Sequence, residues 1–257
     1  VLDKLPPELR AKIEEAAAHA PEEAKQAQPE EVVKEEPKKS VLSEVEFEKS
    51  EVQEIVVTKP ISETYGLNTP VYLDISAVDT GTLTNGSNFD GGFIDGTQMV
   101  MRHKILPESL TDNPEDLKKL VEAYALEIST AAKALGSKPV YYSFSDIGDK
   151  QREQLLGEVK NTGGLDGSER FVRKPQALIA EMTAVKRAKT GYGAGNIHIV
   201  LPKLRTELEI VEMKKIMNTL NFRRTATTKL YAEVSTPSFL YELEHTEASD
   251  IDGIIIN

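Results

Sequence analysis

The chain has 257 residues, 39% hydrophobic and 28% charged, enough to bury one sizeable core or two small ones. Forty-two acidic residues against 31 basic ones leave a net charge of −11, which opposes binding to nucleic acid, and the absence of cysteine excludes disulfides, thiolate nucleophiles and thiolate metal sites. No stretch approaches the roughly 18 apolar residues of a membrane span, and no basic-then-apolar leader opens the chain, so no membrane association and a cytoplasmic location are expected.

Residues 1–59 differ from the rest. The first 60 residues hold no glycine, one aromatic (Phe47), 15 acids and 9 bases, which is six of the eleven net negative charges. Residues 6–20 have a thin apolar face for a helix (Leu9, Ile13, Ala16, Ala17). Residues 21–39 are rich in Glu, Lys, Pro and Gln and offset little of the entropy of ordering. Residues 41–57 alternate apolar positions and read as a lead-in strand or short helix. The expectation for 1–59 is a charged helix and linker, largely disordered, that tethers a folded body at 60–257.

From about Thr58 short apolar stretches alternate with helical ones. Strands are predicted at 71–75, 92–94, 139–144, 197–201, 229–234 and 252–256, rich in Val, Ile and Tyr. Three helices are well marked. Pro114 opens one after Asn113, with Leu117, Leu120, Val121, Tyr124, Ile128 and Leu135 at helical spacing before Gly136. Pro175 opens the second, with Leu178, Met182 and Val185 inward and Gly191 beyond. The third starts at Thr206, where Glu209 completes a capping box. Such alternation predicts parallel strands joined by right-handed crossovers, either a (β/α)8 barrel or an open doubly wound sheet. The glycine-rich GYGAG at 191–195 precedes a strand instead of following one, so it reads as a helix-to-strand turn and not as a phosphate cradle.

A barrel keeps its chemistry at the C-terminal ends of its strands. The polar residues there are Asp74, Ser76, Asp95, Ser143, Asp146, residues 202–205, Glu233 and Asn257. Glu233 is the sharpest: a carboxylate within an apolar strand is expected to be buried, and then needs a cation, a metal or a proton. Asp146 is a ligand or a loop cap. Arg205 holds an anion or lies over the helix it precedes. The four histidines have no ligand spacing, and His198 reads as packed within its strand.

The order of these segments resembles the C-terminal barrel of the PEP-utilising enzymes, namely phosphoenolpyruvate synthase, pyruvate phosphate dikinase and enzyme I of the sugar phosphotransferase system. FDGGFIDGTQM at 89–99 resembles the family's DGVGLLRxEF, and VYYSFSDIGDK at 140–150 its VxxRTxDxGxDK. GLDGSERF at 164–171 resembles GFRGxxRY, and IVLPKLRT at 199–206 resembles MIPFVRT. AEVS at 232–235 resembles MxEVPS, and DGIIIN at 252–257 begins like DGFSIG. The resemblance implies a TIM barrel, here partial with about six strands, that binds pyruvate or phosphoenolpyruvate with Mg²⁺ and receives phosphoryl groups from a phosphohistidine on another domain. It also implies a homo-oligomer or further domains of a longer chain, with the partner metal aspartate beyond Asn257.

Matched residue by residue, Glu233 falls on the metal-ligand glutamate, and Asp146, Arg170 and Arg205 fall on substrate-binding motif positions. Three arginines are lost: their positions are Gly96, Ser143 and Asp166. Fixed guanidinium forks hold a phosphate, and a carboxylate in their place repels it. The expectation is a diverged, non-catalytic relative with a structural or dimerisation role. The alternatives are a fragment of an active Mg²⁺-dependent phosphotransferase and a metal-dependent 2-oxo acid lyase-like barrel.

Overall fold

The computed structural model describes residues 66–76, 89–110, 112–157, 163, 165–244 and 251–257. The expectations for 1–59 lie outside these residues. Six strands form one parallel sheet: β1 (Tyr72–Asp74), β2 (Gly91–Asp95), β3 (Val140–Ser143), β4 (Ile197–Leu201), β5 (Leu230–Val234) and β6 (Gly253–Ile256). Each strand pairs only with its sequence neighbours, in the order β1-β2-β3-β4-β5-β6. A doubly wound sheet would reverse direction at a switch point. This one never does, so it is the singly wound wall of a half-barrel.

Among the described residues seven α-helices accompany the strands: α1 (Gly96–His103), α2 (Pro114–Ala134), α3 (Asp149–Leu156), α4 (Gly167–Arg173), α5 (Pro175–Thr190), α6 (Glu207–Thr219) and α7 (Pro237–Glu242). The three marked in the sequence are α2, α5 and α6, and their ends are set as the sequence reads. Pro114 follows the Asn113 cap, whose side chain accepts from the Asp116 N–H, and the Glu209 carboxylate accepts from the Thr206 N–H at 3.3 Å. The alanine-rich inner faces of α2 (Ala125, Ala131, Ala132) and α5 (Ala177, Ala184, Ala188) are buried and let the two helices pack closely.

Strand alternation sorts the two faces of the sheet. Ile94, Val140, Tyr142, Ile197, Ile199, Leu230 and Ala232 are buried in the core on the helix-covered face. Phe93, Tyr141 and His198 share one register row of the opposite face. There Tyr141 meets Tyr72 at 5.4 Å, Tyr231 at 5.0 Å and His198 at 5.5 Å, ring centroid to centroid. The rings of β1, β3, β4 and β5 thus meet on one side. On a flat sheet Asp95 of β2 and Glu233 of β5 would stand about 14 Å apart, three strand spacings. Here both line one cleft and their charges interact, so this face is concave.

A carboxylate-lined candidate site at the strand ends

The cleft lies at the C-terminal ends of β2 to β6 and encloses about 240 Å³. Phe93, Asp95 and Thr97 form one wall, Ser143, Phe144, Asp146 and Gln151 another, and Pro202, Glu233 and Asn257 the third. Three of these ten residues are carboxylates and none is a cation.

Each carboxylate is held by a specific local feature. Asp95 ends β2 and caps α1, accepting from the Thr97 N–H at 2.8 Å. Burial pushes its carboxyl up, the Thr97 hydrogen bonds act against that, and the nearby Asp74 and Glu233 charges add to the rise. Asp146 accepts from the Gly167 N–H at 2.7 Å, and its own N–H donates to Thr97 Oγ1 at 2.9 Å, which fastens the loop after β3 to α1 and α4. Glu233 accepts from the Asn257 side-chain amide at 3.0 Å. The expectation that Glu233 is buried is corrected by the structure. It projects from the concave face, where strand alternation leaves it half-buried and open to the cleft.

The cations are elsewhere. Arg170 is fully buried and does not line the cleft. Its Nε and Nη2 donate to the two Glu108 carboxylate oxygens at 3.1 and 2.7 Å, and Nη1 donates to Ser145 O and Oγ at 3.1 and 2.9 Å. Arg205 donates from Nη2 to Asp166 Oδ1, and its Nη1 stands 3.9 Å from Glu169 and 4.0 Å from Glu209. Lys203 Nζ donates to Asp166 Oδ2 at 2.6 Å and lies 3.7 Å from Asp146. Burial pushes the Asp166 carboxyl up, but the hydrogen bonds and charges of Lys203 and Arg205 outweigh it and hold it below the usual range. Asp166 thereby engages both Arg205 and Lys203, the latter also near the cleft residue Asp146.

The two other changed motif positions are also explained locally. Gly96, the first residue of α1, has no room for a side chain: a Cβ there would lie 2.6 Å from Ser143 O, 2.9 Å from Ser145 N and 3.0 Å from Glu181 Oε2. Behind it Glu181 is fully buried and accepts from Tyr142 OH at 3.1 Å and from the Ser145 N–H at 2.9 Å. Ser143 lines the cleft and donates weakly to Phe144 O at 3.4 Å.

A magnesium ion takes oxygen ligands in near-octahedral geometry, typically one or two carboxylates with substrate oxygens and water. Among the described residues no group of three or more acidic or histidine side chains is placed to hold a metal. Glu233 supplies one carboxylate to the cleft, and its Oε1 accepts from the Asn257 amide. Sequence reasoning placed Asp95, Ser143, Asp146, Glu233 and Asn257 at the strand ends, and the structure brings all five together. It missed Thr97 and Gln151. The signal for Thr97 was its place two residues after a capping Asp; Gln151 sits on α3, whose polar sequence marks no helix.

A singly wound parallel half-barrel with polar groups gathered at its C-terminal strand ends is an α/β fold. In sequence the chain is similar to phosphoenolpyruvate synthases. It is 25% identical over 146 residues to phosphoenolpyruvate synthase of Aeropyrum pernix, covering 53% of this chain and 18% of that protein. It is 27% identical over 145 residues to a probable phosphoenolpyruvate synthase of Staphylothermus marinus, covering 53% of this chain and 17% of that one. The chain thus spans less than a fifth of the length of these curated relatives. No family model matches it. Among the described residues no helix is long and apolar enough to cross a membrane.

Proposed function

We propose that this chain contributes a phosphoenolpyruvate synthase-like barrel domain that has lost the family's anion-binding chemistry and serves a structural or assembly role. One observation carries the reading: the position of a substrate-binding arginine is Gly96, packed against the Ser143 carbonyl with no space for any side chain. The rest of the site agrees. A dianionic ester placed between Asp95, Asp146 and Glu233 meets like charges in a partly desolvated cleft, where each close pair is repulsive by about 4 kcal/mol at an effective dielectric near 20. Lys203, which lies 3.7 Å from Asp146, and Arg205 are paired with Asp166.

An assembly role draws support from the outer surface. Leu240 and Tyr241 of α7 and Ile254 and Ile256 of β6 are exposed, and β6 is an edge strand among the described residues. An apolar edge of this kind favours association with another sheet, another copy or another domain. A working phosphotransferase segment or a metal-dependent lyase remains the competing reading; its requirement is metal-dependent binding of a 2-oxo acid enolate.

Calorimetric titration with Mg²⁺ and oxalate, a mimic of the pyruvate enolate, separates the readings. The proposal expects no saturable heat from oxalate with or without Mg²⁺. Tight Mg²⁺-dependent oxalate binding would overturn it in favour of the competing reading.

A further inference from the structure

A second cavity, larger than the cleft, is at the opposite end of the sheet. It encloses about 570 Å³, within the range of small-molecule sites, and is lined where the loops enter β3, β4 and β5. Its lining inverts the chemistry of the C-terminal cleft. Lys133, Ser137, Gly193, Gly195, Asn196 and His198 face it, and no carboxylate lines it. In a chain of net charge −11 a cavity free of carboxylates is a specific feature.

Two polar side chains fix the loops around this cavity. Asn196 Nδ2 donates to Ala132 O, Gly136 O and Lys138 O at 3.1, 3.2 and 2.6 Å. Lys189 Nζ donates to Gly195 O, Ile197 O and Thr227 O at 2.8, 2.8 and 3.3 Å. Together they engage carbonyls from all three loops. Six carbonyls around this face are thus occupied, while several donors remain. The Gly193 and Gly195 N–H groups have no acceptor among the described residues. His198 Nδ1 accepts from the Lys229 N–H at 3.1 Å, which leaves the ring proton of the neutral imidazole on Nε2. Gly195 needs no glycine for its own packing, since nothing lies within 4 Å of a Cβ there. The absent side chain leaves bare backbone at the cavity.

Against the plain helix-to-strand turn that the sequence of residues 191–195 suggests, we infer that this cavity binds a small phosphorylated molecule, its phosphate held by the Gly193–Gly195 backbone, the His198 Nε2–H and the Lys133 ammonium. Backbone N–H groups of glycine-rich turns suit phosphate because they supply several convergent donors without side-chain obstruction. Pro139 and Ala194 give the organic body an apolar wall. The inference is independent of any role for the C-terminal cleft.

The test is an amide and imidazole NMR titration of the full chain with inorganic phosphate and with phenyl phosphate. Saturable shifts are expected at Gly193, Gly195 and His198, with Thr97 and Ser143 unmoved and phenyl phosphate binding tighter than inorganic phosphate. Gly195→Asp, which has open space for its side chain, should weaken binding at least about tenfold, as should Lys133→Glu. Non-saturating shifts spread over surface lysines would overturn the inference. So would unchanged affinity in either variant, or acetate competing as well as phosphate.

Discussion

Gly96 lies directly against Ser143: a Cβ at the first residue of α1 would approach the Ser143 carbonyl oxygen to 2.6 Å. The contact is backbone to backbone, so neither side yields cheaply. Gly96→Ala should cost about 1–3 kcal/mol by overpacking, read by urea denaturation. Gly96→Arg should cost more and restore no affinity for phosphoenolpyruvate. Arginine at 96 accepted without loss of stability would mean that α1 is free to move away from β3.

The sequence showed the wall of the barrel well and its joints poorly. All six strands fall where short apolar stretches lie, and β4 coincides with its expected limits at residues 197–201. Helices α2, α5 and α6 announce themselves because each has more than ten residues and a repeated apolar stripe. The short helices α1, α3, α4 and α7, of six to eight residues, have too few turns to display a period. Glu233 was misplaced for a related reason. A run such as Leu-Tyr-Ala-Glu-Val reads as apolar throughout, and only the curl of the sheet reveals that one face looks into a cleft. The partners of Arg170 were invisible too, because Glu108 is 62 residues away in the chain.

Asp166→Ala should raise the affinity of the cleft for anions. The substitution removes a carboxylate and releases Lys203 and part of the Arg205 fork from their closest partner. A gain of some 1.4 kcal/mol is the expected scale for a partly exposed ion pair, read as weak oxalate binding that the parent chain does not show. Unchanged anion binding would show that these cations do not reach the cleft.

The buried pair of Arg170 and Glu108 is a stability element. Its guanidinium makes two hydrogen bonds to one carboxylate, while Arg152 adds a contact to Glu108 at 3.0 Å. Removing Arg170 takes the bidentate partner from Glu108 and leaves Arg152 to compensate its buried charge, so Arg170→Ala should cost about 3–5 kcal/mol. Arg170→Lys should not rescue it, since an ammonium cannot reproduce the fork. Denaturation midpoints of the two variants check both statements.

Acid should unfold the protein through Glu108. Burial alone pushes this carboxyl up, but the Arg170 and Arg152 contacts overcome it and hold it at about 2. A carboxyl depressed in the folded state stabilises it above the unfolded value near 4.5, and that contribution is lost as the pH falls from there toward 2. Asp166 acts in the same direction, whereas Glu181, raised by burial against the opposing Arg170 charge, acts in the other. Glu108→Gln should therefore flatten the acid limb of the stability curve as well as lower stability at neutral pH. An acid limb that keeps its slope in this variant would place the titrating group elsewhere.

The central claim is that a cleft walled by Asp95, Asp146 and Glu233, with Gly96 closing the arginine's place, rejects the phosphoenolpyruvate that the related synthases are named for. Direct calorimetric titration of phosphoenolpyruvate into the full chain, with Mg²⁺ present, is the decisive measurement. The account predicts no saturable binding at the cleft. Stoichiometric binding that is lost on Glu233→Gln would contradict it.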